Sequence, residues 1–231
     1  MTATVTRIDP AALRGCCRIA REESIAAALE HLYTRLGARV LPYGPRGHAV
    51  APRALAGSAR YAWFGGTVVA RDRAGESVLA DPLLDGEKLV GLRQIGRLPA
   101  GTTEGWSDLL VGLAWLRLGL SERLTGDCLT YLGGRTVADA PLLAQQLVRG
   151  DLADAGTAQV ELRVLLTGAT PPATELPWLH RRLSGVDRVL LRLLGASGFL
   201  ADGPGRRAAV GELLSDVYVD SDAYLDRTIE D

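Results

Sequence analysis

The sequence has few of the side chains that build metal sites and disulfide frameworks. Its 231 residues include only three cysteines, two of them adjacent at Cys16 and Cys17, and three histidines, at His31, His48 and His180. Adjacent cysteines form a disulfide only with strain, and the scattered histidines lack the spacing of metal ligands. We therefore expect free thiols, no metal site and a cytoplasmic protein.

The sequence also lacks an excess of charge of one sign and has no long apolar run. Lys and Arg number 26 against 27 Asp and Glu, so the net charge is −1, with both signs interspersed. The chain therefore offers no basic face to follow nucleic-acid phosphates or an anionic membrane surface. No apolar run reaches the length of a membrane span, and the opening stretch MTATVTRIDPAALRG lacks the apolar core of a signal peptide. We expect neither a nucleic acid nor a membrane as partner.

The sequence patterns divide the chain into three parts. Residues 1–37 show helical apolar spacing from the Asp9–Pro10 start signal to Gly37, which predicts one N-terminal helix. Residues 38–102 contain short β-type runs between turn residues and predict a small β domain that leans on the helices. Residues 103–231 return to long helical patterns, at about 104–133, 140–168, 174–196 and 205–218.

A glycine-rich stretch, LLGASGFLADGPGRR, separates the last two of these helical patterns. Two interpretations compete for it. The chain turns a corner between two helices, with Gly195, Gly198 and Gly203 taking positive φ values, or the glycines let the backbone approach a bound nucleotide. We favour the corner as the present role of this stretch.

Three motifs resemble those of the acyl-CoA dehydrogenase family, and together they span Leu55 to Ser221. Tyr131 and Arg135 match the family's Y-x-x-x-R, and Leu142 and Gln146 match the leucine and glutamine that follow it. The stretch RLLGASGF, residues 192–199, corresponds to Q-x-x-G-G-x-G-[YF], and LAGSARYAWFGG resembles the strand G-T-K-x-W-I-T-N-G.

The resemblance implies a fold and a cofactor. The expected fold is mainly α, with a C-terminal four-helix bundle, a reduced β region, and a single helix in place of the family's N-terminal helical domain. In the family the arginine contacts the FAD pyrophosphate, and the glycine turn approaches the adenosine half, usually of a flavin held by the neighbouring subunit. The cofactor-binding residues expected here are Arg135, Gln146, Gly195 and Gly198.

The family's catalytic base has no counterpart at the matching positions. A glutamate removes the α-proton of the acyl thioester while hydride leaves for the flavin. The matching position after Tyr218 is Val219, and the alternative position at the start of the first long helix is Leu109. The neighbouring carboxylates, Asp220 and Asp108, are the candidate catalytic residues.

The strand motif departs from the family at one position. Trp63 stands where the family has a threonine whose hydroxyl meets the flavin ring. An indole at this position would fill the ring site, and together with Tyr61 and Phe64 it is typical of a small aromatic core.

Three functions follow from these observations. The first is a diverged supporting subunit, in a homodimer or paired with a full-length acyl-CoA dehydrogenase, linked to FAD-dependent oxidation of an acyl thioester. The second is an autonomous FAD-dependent dehydrogenase of an acyl-CoA or acyl-carrier protein, with a displaced base at Asp220, Asp108 or Asp216. The third is a non-redox biosynthetic enzyme or binding module, with a cleft lined by tryptophans: Trp63, Trp106 and Trp115.

Overall fold

The N-terminal segment folds as two helices where the sequence predicts one. The computed structural model describes residues 8–95, 105–137, 139–168, 171–200 and 202–219. Helix α1 (Pro10–Glu22) begins at Asp9, whose side chain accepts a hydrogen bond from the backbone N–H of Ala11. Helix α2 (Ile25–Leu36) begins at Ser24, which accepts from the N–H of Ala27. A serine inside the apolar pattern acts as an N-cap and breaks the run, so the single-helix prediction is wrong.

The β region consists of two small sheets and two short helices. Strands β1 (Val40–Pro42), β3 (Tyr61–Phe64) and β4 (Thr67–Ala70) form one sheet, in which β1 and β3 are parallel. Strands β2 (His48–Pro52), β6 (Leu89–Gln94) and β5 (Glu76–Leu79) form the other, which is antiparallel. The short helices are α3 (Arg53–Ser58) and α4 (Pro82–Gly86).

Four longer helices form the second half of the chain, as the sequence predicts. They are α5 (Trp106–Gly133), α6 (Gln146–Thr167), α7 (Leu176–Leu194) and α8 (Gly205–Tyr218). The second of the four helical patterns predicts helix from residue 140, but α6 begins only at Gln146. Strands β7 (Thr136–Val137) and β8 (Ala140–Pro141) form a hairpin before it. Asp139 takes a positive φ of 63° in the hairpin turn, which excludes helix there.

Helix α5 is the centre of the molecule. Its side chains from Asp108 to Ser121 are buried without interruption, because α1, α7 and α8 surround this part of the helix. The β region shares the same core, since Trp63 of β3 stacks on Trp106 at the start of α5 with ring centroids 5.1 Å apart. In the parts of the chain that the structure describes, no helix is long and apolar enough to cross a membrane.

Helix α1 approaches α5 closely at one glycine. A Cβ added at Gly119 of α5 would overlap the backbone carbonyl of Cys17 in α1. A helix backbone cannot move away as a flexible side chain can, so only glycine permits this distance between the two helices.

Replacing this glycine should separate α1 from α5. We expect Gly119→Ala to lower the free energy of unfolding by about 1–3 kcal/mol, because the added methyl group overpacks the contact. The matched control is Gly126→Ala on the same helix, where no described atom lies within 4 Å of an added Cβ. This exposed substitution should raise stability by about 0.5–1 kcal/mol through helix propensity. Chemical denaturation of the three proteins measures the difference, and equal stability of the two variants would contradict the contact.

Candidate functional site

The site residues expected from the sequence lie at two opposite ends of the bundle. Helices α5 and α7 run parallel, because paired contacts advance along both: Leu110 with His180, then Cys128 with Leu190. The C-terminal ends of α5 and α7 therefore lie at one end of the bundle, and the start of α5 lies at the other. About 33 Å of helix separates Leu109 from Tyr131.

At the first end, Arg135 follows the C-terminus of α5, and Gln146 begins α6. The backbone N–H of Leu142 donates to the carbonyl oxygen of Arg135 at 2.9 Å, so the hairpin after α5 joins two of the matched positions. The Arg135 guanidinium lies 4.0 Å above the centre of the Tyr131 ring, a cation–π contact. Both Arg135 and Gln146 are exposed, so a molecule arriving from outside can reach their side chains.

A groove of about 540 Å³ connects this end of α5 with the glycine corner. Tyr131 contributes to its α5 wall, and Leu194 and Ser197 to the opposite wall. Its one arginine, Arg207, donates to Asp127 at 2.7 Å. Asp202, a second carboxylate, also lines the groove. Because the only lining cation is already paired, the groove itself has little attraction for a pyrophosphate.

The glycines of the corner are explained mainly by contacts within the chain. Gly195 ends α7 with a φ of +55°. Among the described glycines of this corner, only Gly195 has a positive φ. The prediction of positive φ values is therefore wrong for Gly198 and Gly203. A Cβ at Gly205 would overlap the carbonyl oxygen of Gly198, and a Cβ at Gly203 would lie 2.6 Å from that of Ser197. Close approach of one backbone to another therefore requires glycine at 203 and 205, which differs from the positive φ values that the corner interpretation predicts.

The other end of the bundle holds the position that the resemblance gives to the base. Tyr218, the last residue of α8, is fully buried, and its hydroxyl accepts hydrogen bonds from the Val50 N–H at 3.1 Å and from the Tyr33 hydroxyl at 3.0 Å. Burial raises the pKa of Tyr218 to about 12. Val219 follows it and is also buried. Asp220 lies outside the described residues.

The second base position, at the start of α5, is equally apolar. Leu109 is fully buried in the main core. Asp108 beside it is buried, and its carboxylate accepts a hydrogen bond of 2.7 Å from the backbone N–H of Ile8. That bond fastens the segment before α1 to α5. Asp216 is exposed on α8.

Trp63 occupies the face of β3 on which the family's flavin ring would lie. Its side chain is fully buried, and Trp106 stacks on it with the ring planes 15° apart. An isoalloxazine ring packed on this strand would need the space that Trp106 fills. The residues present at this position therefore do not fit a flavin ring. Trp115, the third tryptophan expected in a cleft, is buried within the core of α5.

A buried polar cluster in the bundle was not expected from the sequence. The Arg117 guanidinium of α5 is 1% exposed and donates to the Nδ1 atom and carbonyl oxygen of His180 and to the Ser184 hydroxyl, at 3.1, 2.9 and 2.7 Å. The His180 Nε2–H donates to the Leu110 carbonyl oxygen at 3.2 Å. The one signal in the sequence is a single arginine inside the apolar run LAWLRLGL.

Burial shifts the pKa values of the two titratable partners of Arg117. Desolvation, with the positive charge of Arg117 added, lowers the pKa of His180 to about 3, so the imidazole is neutral. Desolvation raises the pKa of Asp187 on α7 to about 6, against the effects of a Ser121 hydrogen bond and of Arg117. Within the described residues, Asp187 Oδ1 has no hydrogen-bond partner. No three His, Cys, Asp or Glu side chains of the described chain are grouped as metal ligands.

Comparison with known proteins supports the fold and not a closer relationship. No protein-family model and no curated protein matches the sequence. Among solved structures, the ChsE4–ChsE5 complex from Mycobacterium tuberculosis is similar, with a TM-score of 0.55 and 17% identity over 80% of this chain and 58% of that one. The butyryl-CoA dehydrogenase from Megasphaera elsdenii is similar, with a TM-score of 0.52 and 17% identity over 78% and 58% of the two chains.

A third similar structure is a variant of the Tcur3481–Tcur3483 steroid ACAD. It has a TM-score of 0.63 and 18% identity, over 96% of this chain and 83% of that one. The chain therefore spans less than two thirds of the length of the first two structures and most of the third. Together these structures confirm a mainly α, acyl-CoA dehydrogenase-like fold.

The neutral His180 should make stability depend on pH in a defined window. Its pKa is lower in the folded chain than the value of about 6.5 expected when unfolded. Its contribution to stability is therefore complete above pH 6.5 and is lost as the pH falls toward 3. The loss is at most about 1.4 kcal/mol per pH unit. Asp187, whose pKa is raised from 3.8 to about 6, opposes part of this loss over that interval.

Variants of His180 isolate its contribution from that of Asp187. His180→Gln and His180→Asn cannot titrate, so the unfolding free energy of either should fall less steeply between pH 6.5 and 4 than that of the natural chain. Urea denaturation at several pH values measures the slopes. Identical slopes in all three proteins would show that His180 is not held neutral by the fold.

Proposed function

We propose that this chain is a supporting subunit of an FAD-dependent, acyl-CoA dehydrogenase-type assembly that oxidises an acyl thioester. In this assembly, the exposed end with Arg135 and Gln146 contacts a flavin held by a partner chain. The chain itself supplies no catalytic base. The partner is a full-length acyl-CoA dehydrogenase, with a second copy of this chain as the alternative.

The proposal rests on one observation: buried side chains fill the end of the bundle where the reaction would occur. Val219 and Leu109, at the two positions matched to the base, are buried and cannot accept a proton. Proton abstraction requires a base within hydrogen-bond reach of the substrate carbon's proton. Asp108, the carboxylate beside Leu109, is occupied by the Ile8 N–H, and Trp63 and Trp106 take the place of a flavin ring.

The end of the bundle with Arg135 and Gln146 has the exposed side chains that a supporting role requires. Arg135 is exposed and stacked on Tyr131, so its guanidinium is oriented with its N–H donors accessible to a pyrophosphate. Gln146 and the backbone at Gly195 would complete the contacts with the adenosine half. When bound, FAD supplies the acceptor for the hydride that leaves the substrate. Because the two ends of this chain are about 33 Å apart, a dinucleotide at Arg135 would place its ring on another chain.

An apolar surface on α6 supports association with a partner. Val160 and Val164, four residues apart on one face of α6, are both exposed, and Leu147 is 85% exposed at the start of the same helix. A contiguous apolar patch on a helix face is a feature of protein contacts. Two of the similar structures are named as pairs of proteins, ChsE4–ChsE5 and Tcur3481–Tcur3483.

Flavin content distinguishes a supporting subunit from an autonomous enzyme. The chain purified alone, with excess FAD added and removed, should show no stoichiometric flavin absorption. Co-expression with a full-length acyl-CoA dehydrogenase encoded beside it should yield a complex that contains flavin and reduces a dye with an acyl-CoA. Stoichiometric flavin and dye reduction by the isolated chain would instead establish an autonomous dehydrogenase.

Arg135 should contribute to flavin affinity only in the complex. Loss of a charge-assisted hydrogen bond to the pyrophosphate in Arg135→Ala should weaken FAD binding by about 10–100-fold. Arg149→Ala, at another exposed arginine on the first turns of α6, is the matched control and should leave the affinity unchanged. Fluorescence titration of FAD into the stripped complex measures both, and equal affinities would remove Arg135 from the site.

A further inference from the structure

A groove of about 550 Å³, which we call the sheet groove, lies on one face of the antiparallel sheet. Its floor carries Glu76 and Val78 of β5 and Val90 of β6, because alternate residues of a strand share a face. Helix α3 contributes Ala56 to one wall. Pockets of about 300–1,000 Å³ are of the size that small molecules fill. None of the positions matched to the flavin or to the base lines the sheet groove.

One end of the sheet groove holds a buried ion pair whose charges match. Arg71, in the loop between β4 and β5, donates to both carboxylate oxygens of Glu76, at 2.6 and 2.7 Å. The Tyr43 hydroxyl also donates to Glu76, at 2.6 Å. Burial acts to raise the pKa of Glu76, but these hydrogen bonds outweigh it and lower the pKa below its usual value. Glu76 is therefore charged, and Arg71 balances that charge.

Arg73 lies two residues further along the same loop, and it has no carboxylate partner among the described residues. It is exposed, and it donates to the backbone carbonyl oxygens of Gly57 and Ala59 at 2.6 and 3.2 Å. Both bonds use Nη2, so the N–H groups of Nη1 and Nε stay available to a ligand. The two bonds hold the guanidinium in place at the end of α3, within reach of a molecule that arrives from solvent.

The charges that line the sheet groove favour a single negative charge on its ligand. Arg53, at the start of α3, forms an ion pair with Asp85, which also lines the groove. Three arginines and two carboxylates line the groove in all, so it has one net positive charge. A ligand with one carboxylate supplies the partner that Arg73 lacks, and a planar guanidinium binds a carboxylate through two parallel hydrogen bonds.

Exposed aliphatic side chains form the rest of the sheet groove. β5 is an edge strand of its sheet, and its Val78 and Leu79 are 69% and 41% exposed. Val90, on the neighbouring strand, is half-buried beside them. Aliphatic groups that line a concave surface favour an apolar ligand body, since they lose contact with water when it binds. The groove thus combines an available guanidinium with an apolar floor.

We propose that the sheet groove binds a small monocarboxylate with an apolar body. The carboxylate accepts hydrogen bonds from the Arg73 guanidinium, and the apolar body packs on Val78, Leu79 and Val90. Each of these contacts uses a group that is at least partly exposed. The site uses neither a flavin nor a partner chain, so it is independent of the proposed supporting role.

Titration of the isolated chain with three probes of equal length tests the site. Amide chemical shifts in NMR spectra should show saturable binding of hexanoate, with the largest changes at Arg73, Val78 and Val90. 1-Hexanol should bind at least about fivefold more weakly, because it forms no ion pair with the exposed guanidinium. Hexylamine should bind more weakly still, since the groove repels a cation. Equal binding of the three probes, or no saturable binding of hexanoate, would overturn the proposal.

Two pairs of variants locate the probe, each with a control on the opposite face of the same sheet. Arg73→Gln should weaken hexanoate binding by about fivefold, and Arg93→Gln, at an exposed arginine of β6, should leave it unchanged. Val78→Glu should abolish binding by placing a second carboxylate in the groove, whereas Ser77→Glu lies opposite Arg93 and should bind as the natural chain does. Unchanged binding in Val78→Glu would place hexanoate elsewhere, and this exposed substitution decides the question even where Arg73→Gln fails to fold.

Discussion

The burial of one charged side chain, Arg117, sets the arrangement of the bundle. A guanidinium in the middle of a core helix is costly without hydrogen-bond partners, and α7 supplies partners to both terminal nitrogens of Arg117, while its Nε–H has none among the described residues. His180 and Ser184 can meet Arg117 only when α5 and α7 lie in parallel with one register. An apolar side chain at this position would pack in several registers, so the polar contact defines one of them.

The register has a consequence for the site. With α5 and α7 parallel, Arg135 and the glycine corner come to the same end, while Leu109 and Val219 come to the other. Two groups of residues that the family uses around one cofactor are therefore separated by the length of the bundle within this chain. The positions matched to flavin contact and those matched to the base therefore do not meet within this chain, which is why association with another chain is central to its proposed role.

The two ends also differ in how far internal packing explains their residues. At the end that holds the positions matched to the base, the interior is filled by tryptophan, leucine, valine and a hydrogen-bonded tyrosine. These side chains contribute to packing and not to proton transfer. At the other end Arg135 stays in solvent, stacked on an aromatic ring. Internal packing explains the first set of residues completely, whereas nothing within the chain requires an arginine at the second position. The corner glycines belong with the first set, because they serve backbone contacts at Gly205 and Gly203.

The sequence by itself determined the helices and the order of the motifs, because apolar periodicity and local caps are properties of neighbouring residues. It determined that valine and leucine stand at the positions matched to a base, and that tryptophan stands at the ring position. Only the tertiary structure decided that Asp108 binds the Ile8 N–H, and that Arg117 and Asp187 share a buried cluster. Those facts depend on contacts between residues far apart in the chain, and desolvation at such contacts leaves no local pattern in the sequence.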